Sequence, residues 1–129
     1  MAALRESAIT KLATVTGIDA KTVASTELFY VPTGYSLIVS HIVIRCTAFT
    51  VGSKSVQAIA GFGGNSATYD DYLNSVTYTI AAVSVAITDS VLDTAVPVYA
   101  AATSFRIIIE TGSDATTETW AVDLFGYLV

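Results

Sequence analysis

Few residues of this 129-residue chain could do chemistry, and their spacing gives them little to work with. The one histidine, His41, sits inside an apolar run. A general base needs a nucleophile and an orienting carboxylate within hydrogen-bond reach, and no signature for either accompanies it. His41 is therefore expected as a half-buried or interface residue. One His and one Cys cannot build a zinc site from those ligands. Cys46 cannot form an internal bridge and reads as a buried, inert thiol.

The remaining candidates are acidic. Asp70 and Asp71, beside Asn65 and Asn74, form the one acidic cluster in a loop. Oxygen donors suit Ca²⁺, but the spacing matches no EF-hand loop, and paired acids on a loop are ordinarily solvated. No metal and no cofactor is expected. A glycosidase needs two carboxylates across one bond, and the spacing of Asp70, Asp71, Glu110 and Asp123 assembles no such pair. Gly61-Phe62-Gly63-Gly64 lacks the Lys-Ser/Thr that follows a phosphate loop, so a turn or bulge is expected there. The chain is read as a non-enzyme. Tyr69 and Tyr72 bracket the acidic pair, and Tyr is a good contact residue. The segment Tyr69, Asp70, Asp71, Tyr72 is thus the candidate recognition or subunit-contact loop, the alternative being aromatic residues that pin a long loop to the body.

Charge narrows the partners. Charged residues are 13% of the chain, against about 25% in ordinary soluble domains, while hydrophobic residues reach 53%. Either Thr, Ser and Ala cover the surface, or neighbouring subunits shield part of it; the second reading is favoured, so the chain is expected to be a homo-oligomer. Net charge is −5, and the six basic residues are scattered. That gives no cationic strip for phosphates or anionic lipid, so neither nucleic acid nor membrane is an expected partner. The longest apolar stretches fall far short of a span of ~18 residues. The N-terminus lacks the order of a secretory signal, which predicts synthesis in a reducing cytoplasm.

The elements that must position these residues read as β. Residues 1–13 alone could be helix or arm, and are expected as a terminal arm. One domain is expected over residues 14–129, rich in Thr, Val, Ile, Tyr and Ala, with turn signals about every ten residues. Strands are expected over 21–30, 35–47, 54–62, 76–87, 96–100, 104–111 and 116–129. The segment 65–75 reads as a long loop with one helical turn at 69–73, and 89–93 as a turn. In the 35–47 strand, Leu37, Val39, His41, Val43 and Arg45 alternate with Ile38, Ser40, Ile42, Ile44 and Cys46, so both faces are apolar and both need cover. Pro97 marks a strand start or an edge. Seven or eight antiparallel strands on this length fit an all-β, two-sheet β-sandwich of jelly-roll type.

Several stretches together resemble a known class. They are Phe29-Tyr30-Val31-Pro32-Thr33-Gly34-Tyr35, the run from Leu37 to Cys46, Gly61-Phe62-Gly63-Gly64-Asn65 with Tyr69-Asp70-Asp71, and Val122-Asp123-Leu124-Phe125-Gly126-Tyr127-Leu128-Val129. Across about residues 25–129 this resembles the small virion-associated proteins of tailed bacteriophages, both capsid decoration (cement) proteins and jelly-roll knobs of fibres and tail needles. The resemblance transfers no catalytic residue. It implies a trimer on the capsid exterior that bridges major capsid proteins, or else a knob that binds a host-surface receptor.

Overall fold

The structure, a computed structural model, describes residues 9–53, 55–91 and 96–129. Among these residues it is all-β, with nine strands: β1 (Thr10–Asp19), β2 (Ala24–Tyr30), β3 (Leu37–Thr50), β4 (Ala58–Gly63), β5 (Leu73–Tyr78), β6 (Ala86–Asp89), β7 (Val98–Tyr99), β8 (Ser104–Thr111) and β9 (Thr117–Leu128). They form two antiparallel sheets packed as a β-sandwich. The first runs β1-β9-β3-β6, with β7 also paired to β3; the second runs β2-β8-β4-β5. The chain crosses between sheets at six of its eight connections, so strands adjacent in sequence mostly lie in opposite sheets.

The sheets meet on a continuous apolar core. From the first sheet come Leu37, Val39, Ile42, Ile44, Trp120, Val122 and Leu124; from the second come Ala60, Phe62, Phe105, Ile107 and Ile109. Trp120 is fully buried, edge-on to Tyr78 at 5.9 Å, and Tyr78 is edge-on to Phe62 at 6.3 Å. Such offset and edge-to-face pairs suit the ring quadrupole. The indole Nε1–H donates to Glu118 Oε2 at 3.0 Å, so the buried ring keeps its polar end satisfied.

Bulges decide which residues reach that core. In β3 the register with β9 slips between Val39 and His41, leaving Ser40 as the extra residue. Leu37 and Val39 before the slip, and Ile42, Ile44 and Cys46 after it, are all buried. The strict alternation expected over 35–47 therefore fails at Ser40, and two half-sets from opposite expected faces share the core. β1 behaves the same way. Slips between Lys11 and Ala13 and between Val15 and Ile18 let Leu12, Val15 and Ile18, three residues apart, all pack inward.

Several expectations change accordingly. β1 begins at Thr10, inside the segment expected as an arm, and its 10–13 portion pairs with Gly126, Phe125 and Leu124 of β9; residues 1–8 lie outside the described residues. β1 also adds a strand that the sequence reading did not place. The expected 76–87 run is two strands in different sheets, β5 and β6, because the chain leaves the second sheet after Tyr78 and enters the first at Ala86. The 54–62 strand starts only at Ala58, and Lys54 lies outside the described residues, as does Asp93 of the expected turn. No helical turn forms over 69–73; Leu73 already belongs to β5. Pro97 directly precedes the two-residue β7 at a sheet margin, as its missing N–H requires. β8 falls where expected, over Ser104–Thr111.

Candidate functional site

The loop that follows β4 folds back over the outer face of the second sheet. Its course needs glycine at the exit: a Cβ on Gly63 would collide with the Asp71 carboxylate and with the backbone N of Asp70 and Asp71. Asn65 organises the turn. Its Oδ1 accepts from the N–H of Asp70 at 2.8 Å and of Asp71 at 3.1 Å, while its Nδ2 donates to Asp70 Oδ1 at 2.8 Å and Thr68 Oγ1 at 2.7 Å. Asp71 Oδ1 accepts from the Gly64 N–H and the Tyr99 hydroxyl, both at 2.9 Å. This ties the loop to the far sheet.

The four expected contact residues take distinct places. Tyr72 is buried, edge-on to Phe105 at 5.9 Å, and its hydroxyl donates to the Ser40 carbonyl at 3.1 Å. That bond caps the bulge in β3. Tyr69 is half-buried with φ +48°, and its ring lies 5.4 Å from the Arg106 guanidinium, a cation–π distance. Asp70 is half-buried over Gly61, and Asp71 is exposed yet stapled. For Tyr72 and Asp71 the geometry is that of residues pinning the loop to the sandwich.

Burial, the larger cause, and the neighbouring Asp89 push the Tyr78 phenol far above its usual range; burial with the Asp71 hydrogen bond does the same to Tyr99. Tyr72 is raised as well, mainly by burial. All three stay protonated and serve as hydrogen-bond donors, Tyr78 to Asp89 Oδ2 at 2.9 Å. A phenol held this firmly is a poor proton donor in catalysis at neutral pH.

The other broad surface is the outer face of the first sheet. Cross-strand register sets its rows. Val98, Ile38 and Tyr127 align across β7, β3 and β9. Next come His41, Phe125 and Lys11, then Thr88, Val43, Asp123 and Thr14, then Ala86, Arg45 and Ala121. His41 stacks on Phe125 with ring centroids 4.5 Å apart and planes 7° from parallel. Ile38, Val43, Phe125 and Tyr127 lie outside the core cluster, and Val98 is 60% exposed. Val129 at 59% and Tyr35 at 50% lie beside this end, where Ser36 and Val129 exchange backbone hydrogen bonds at 2.9 Å.

One ion pair is set into that face. Arg45 grips Asp123 with two bonds, Nε to Oδ2 at 2.9 Å and Nη2 to Oδ1 at 3.1 Å, and Thr14 donates to Oδ1 at 2.7 Å. Burial would raise the Asp123 carboxyl; the bonds from Arg45 and Thr14, with the charges of Arg45 and Lys11, outweigh it and hold the group below the usual range. With Thr14 the pair ties three strands together, and it neutralises a charge that the apolar surroundings would otherwise penalise.

Two of the candidate carboxylates, Asp123 and Glu110, lie on opposite outer faces of the sandwich. Asp123 faces out from the first sheet, whereas Glu110, which accepts from the Ser75 hydroxyl at 2.6 Å, faces out from the second. Among the described residues no three His, Cys, Asp or Glu side chains gather as a metal site would require. A half-open cleft of about 260 Å³ lies between β1 and β2, lined by Gly17, Ile18, Asp19, Thr22 and Ile109 among others. Its one carboxylate, Asp19, is already engaged by the Lys21 N–H at 2.9 Å and the Thr22 hydroxyl at 2.8 Å.

The sequence points to the loop and, in β3, to a second face in need of cover, but not to the residues that the other strands add to that face. The signal for the face was the apolar character of both sides of β3, but Arg45 and Asp123 are 78 residues apart and nothing local pairs them. Comparison with protein-family models, curated proteins and solved structures finds no match to this chain.

Proposed function

We propose that this chain is a non-enzymatic structural protein that works as one copy among many on a virus particle, decorating and stabilising a bacteriophage capsid by bridging major capsid proteins as a symmetric oligomer. The observation that carries the reading is the apolar outer face of the first sheet, where Val98, Ile38, Tyr127, Phe125, His41 and Val43 adjoin and the Arg45–Asp123 pair is internally neutralised. Contiguous apolar patches of this kind mark contact surfaces. An assembly with many copies draws large total stability from modest individual contacts, because each docked copy raises the effective concentration of the next.

Two further features support it. The strand orders β1-β9-β3-β6 and β2-β8-β4-β5 are those of two interleaved Greek keys, and we read the sandwich as a jelly roll on that ground, with β7 as an addition. Two of the four stretches that carry the resemblance to virion proteins, the turn at Val31–Gly34 and the closing β9 strand, lie together in the fold, Ser36 bonding Val129 in both directions. Counting this chain in purified particles tests the proposal. Hundreds of copies are expected, and a handful per particle would overturn it.

A second reading, a fibre or tail knob that binds a host-surface receptor, is favoured by one observation. Tyr30 and Tyr35 flank the Val31–Gly34 turn and are 55% and 50% exposed, which is an aromatic contact surface at one tip. If it holds, the purified chain competes with phage adsorption; a decoration protein leaves infection unchanged.

A further inference from the structure

We infer that the outer face of the first sheet is where a second copy of this chain docks. The inference rests on the self-association in the reading above and goes further by naming the surface. Three observations point to a second copy.

The first is area. The five strands of the sheet, β1, β9, β3, β6 and β7, hold 42 residues; at ~4.8 Å between strands and ~3.4 Å per residue the face covers roughly 690 Å². Stable interfaces take about 600–1,000 Å² from each partner.

The second is charge. The chain carries a net −5, so two copies repel unless they meet on faces free of excess negative charge. Among the described residues the second sheet's outer face sets Glu27, Asp70 and Glu110 against Arg106. The first sheet's outer face sets Lys11 and Arg45 against Asp123, with Asp19 at the far corner beside Thr119. It is the sheet face that two acidic copies can bring together without a like-charge penalty. A basic partner of another kind would choose the opposite side of the sandwich.

The third is cover. The loop between β4 and β5 already lies over the second sheet through Asp70 on Gly61 and Tyr69 on Arg106. On the first sheet the row Val98, Ile38, Tyr127 continues into the His41–Phe125 stack and leaves Val98 60% exposed. Flat aromatic and aliphatic rows of this kind suit packing of one sheet face on another at ~10 Å.

The test is sedimentation of the full chain over a concentration series, with two face variants and one control. Lys11→Glu acts on an exposed side chain and turns the face net negative. Val98→Glu puts a charge into the apolar row. Each is expected to weaken self-association at least tenfold, with added salt recovering part of the Lys11→Glu loss. Thr77→Glu, exposed on β5 of the second sheet, is expected to change it by less than about twofold. Far-UV circular dichroism checks each fold, and Lys11→Glu carries the test if Val98→Glu does not fold. Association that both face variants leave intact overturns the inference while the assembly reading stands. A wild-type chain that sediments as a single copy also overturns it; the count of copies on particles then decides the function separately.

Discussion

At the scale of single residues, the most informative is Asp123. Its carboxyl is held below the ordinary range by Arg45 and Thr14, so its contribution to stability is complete above the unfolded carboxylate pKa of about 3.9. That contribution is lost as pH falls through the lower folded value. Asp123→Asn is expected to cost about 1 kcal/mol at pH 7, a modest figure because the Arg45 side chain is 42% exposed. The difference from the wild type should narrow as the pH is taken down below about 3.9, as read by urea midpoints at pH 7 and in acid. A difference that persists unchanged in acid would mean that shape, rather than charge, holds the site. Tyr99→Phe removes the donor that ties Asp71 to the first sheet and is expected to cost about 1 kcal/mol. Faster amide exchange at Gly64 and Asp71 should accompany it, and unaltered exchange there would discount the staple.

At the scale of elements, the Gly63 exit and the Ser40 bulge govern where the chain goes. Gly63→Ala sets a methyl against Asp71 and the backbone of the loop and is expected to destabilise by about 2 kcal/mol or more, measured by thermal melting. A variant as stable as the wild type would show that the loop sits elsewhere. Trp120→Ala, in the centre of the core, is expected to cost about 3–5 kcal/mol. How much was legible in the sequence follows from the same bulges. β8 was readable because Phe105, Ile107 and Ile109 alternate without interruption. β9 was readable because Trp120, Val122 and Leu124 do the same. β1 was not, since its slips space Leu12, Val15 and Ile18 at three residues, which imitates one face of a helix. In β3 the strand was legible and its facing was not. Within the candidate loop the sequence pointed to Tyr69–Tyr72, but the burial of Tyr72 depends on Phe105 and Ser40, both more than 30 residues away. The outer face of the first sheet is assembled from four strands distant in sequence, so only register reveals it.

At the scale of the whole molecule, the fold is compact for its mass. Its accessible surface is 6514 Å², close to the roughly 6,500 Å² that surface scaling gives for a lone domain of this size. The sandwich therefore closes well on itself, and what sets it apart is the chemistry of the surface it leaves. Large apolar side chains such as Val98, Val129, Tyr30 and Tyr35 remain half exposed or more, with few charges between them to deter association. The proposed role follows from that imbalance, with sister copies proposed to shield the apolar surface that the core leaves out. Light scattering on the isolated chain measures this directly. The account predicts a mass that is a whole multiple of 13.5 kDa and falls toward one copy only on dilution. A mass of one chain at every concentration, up to the limit of solubility, would contradict it.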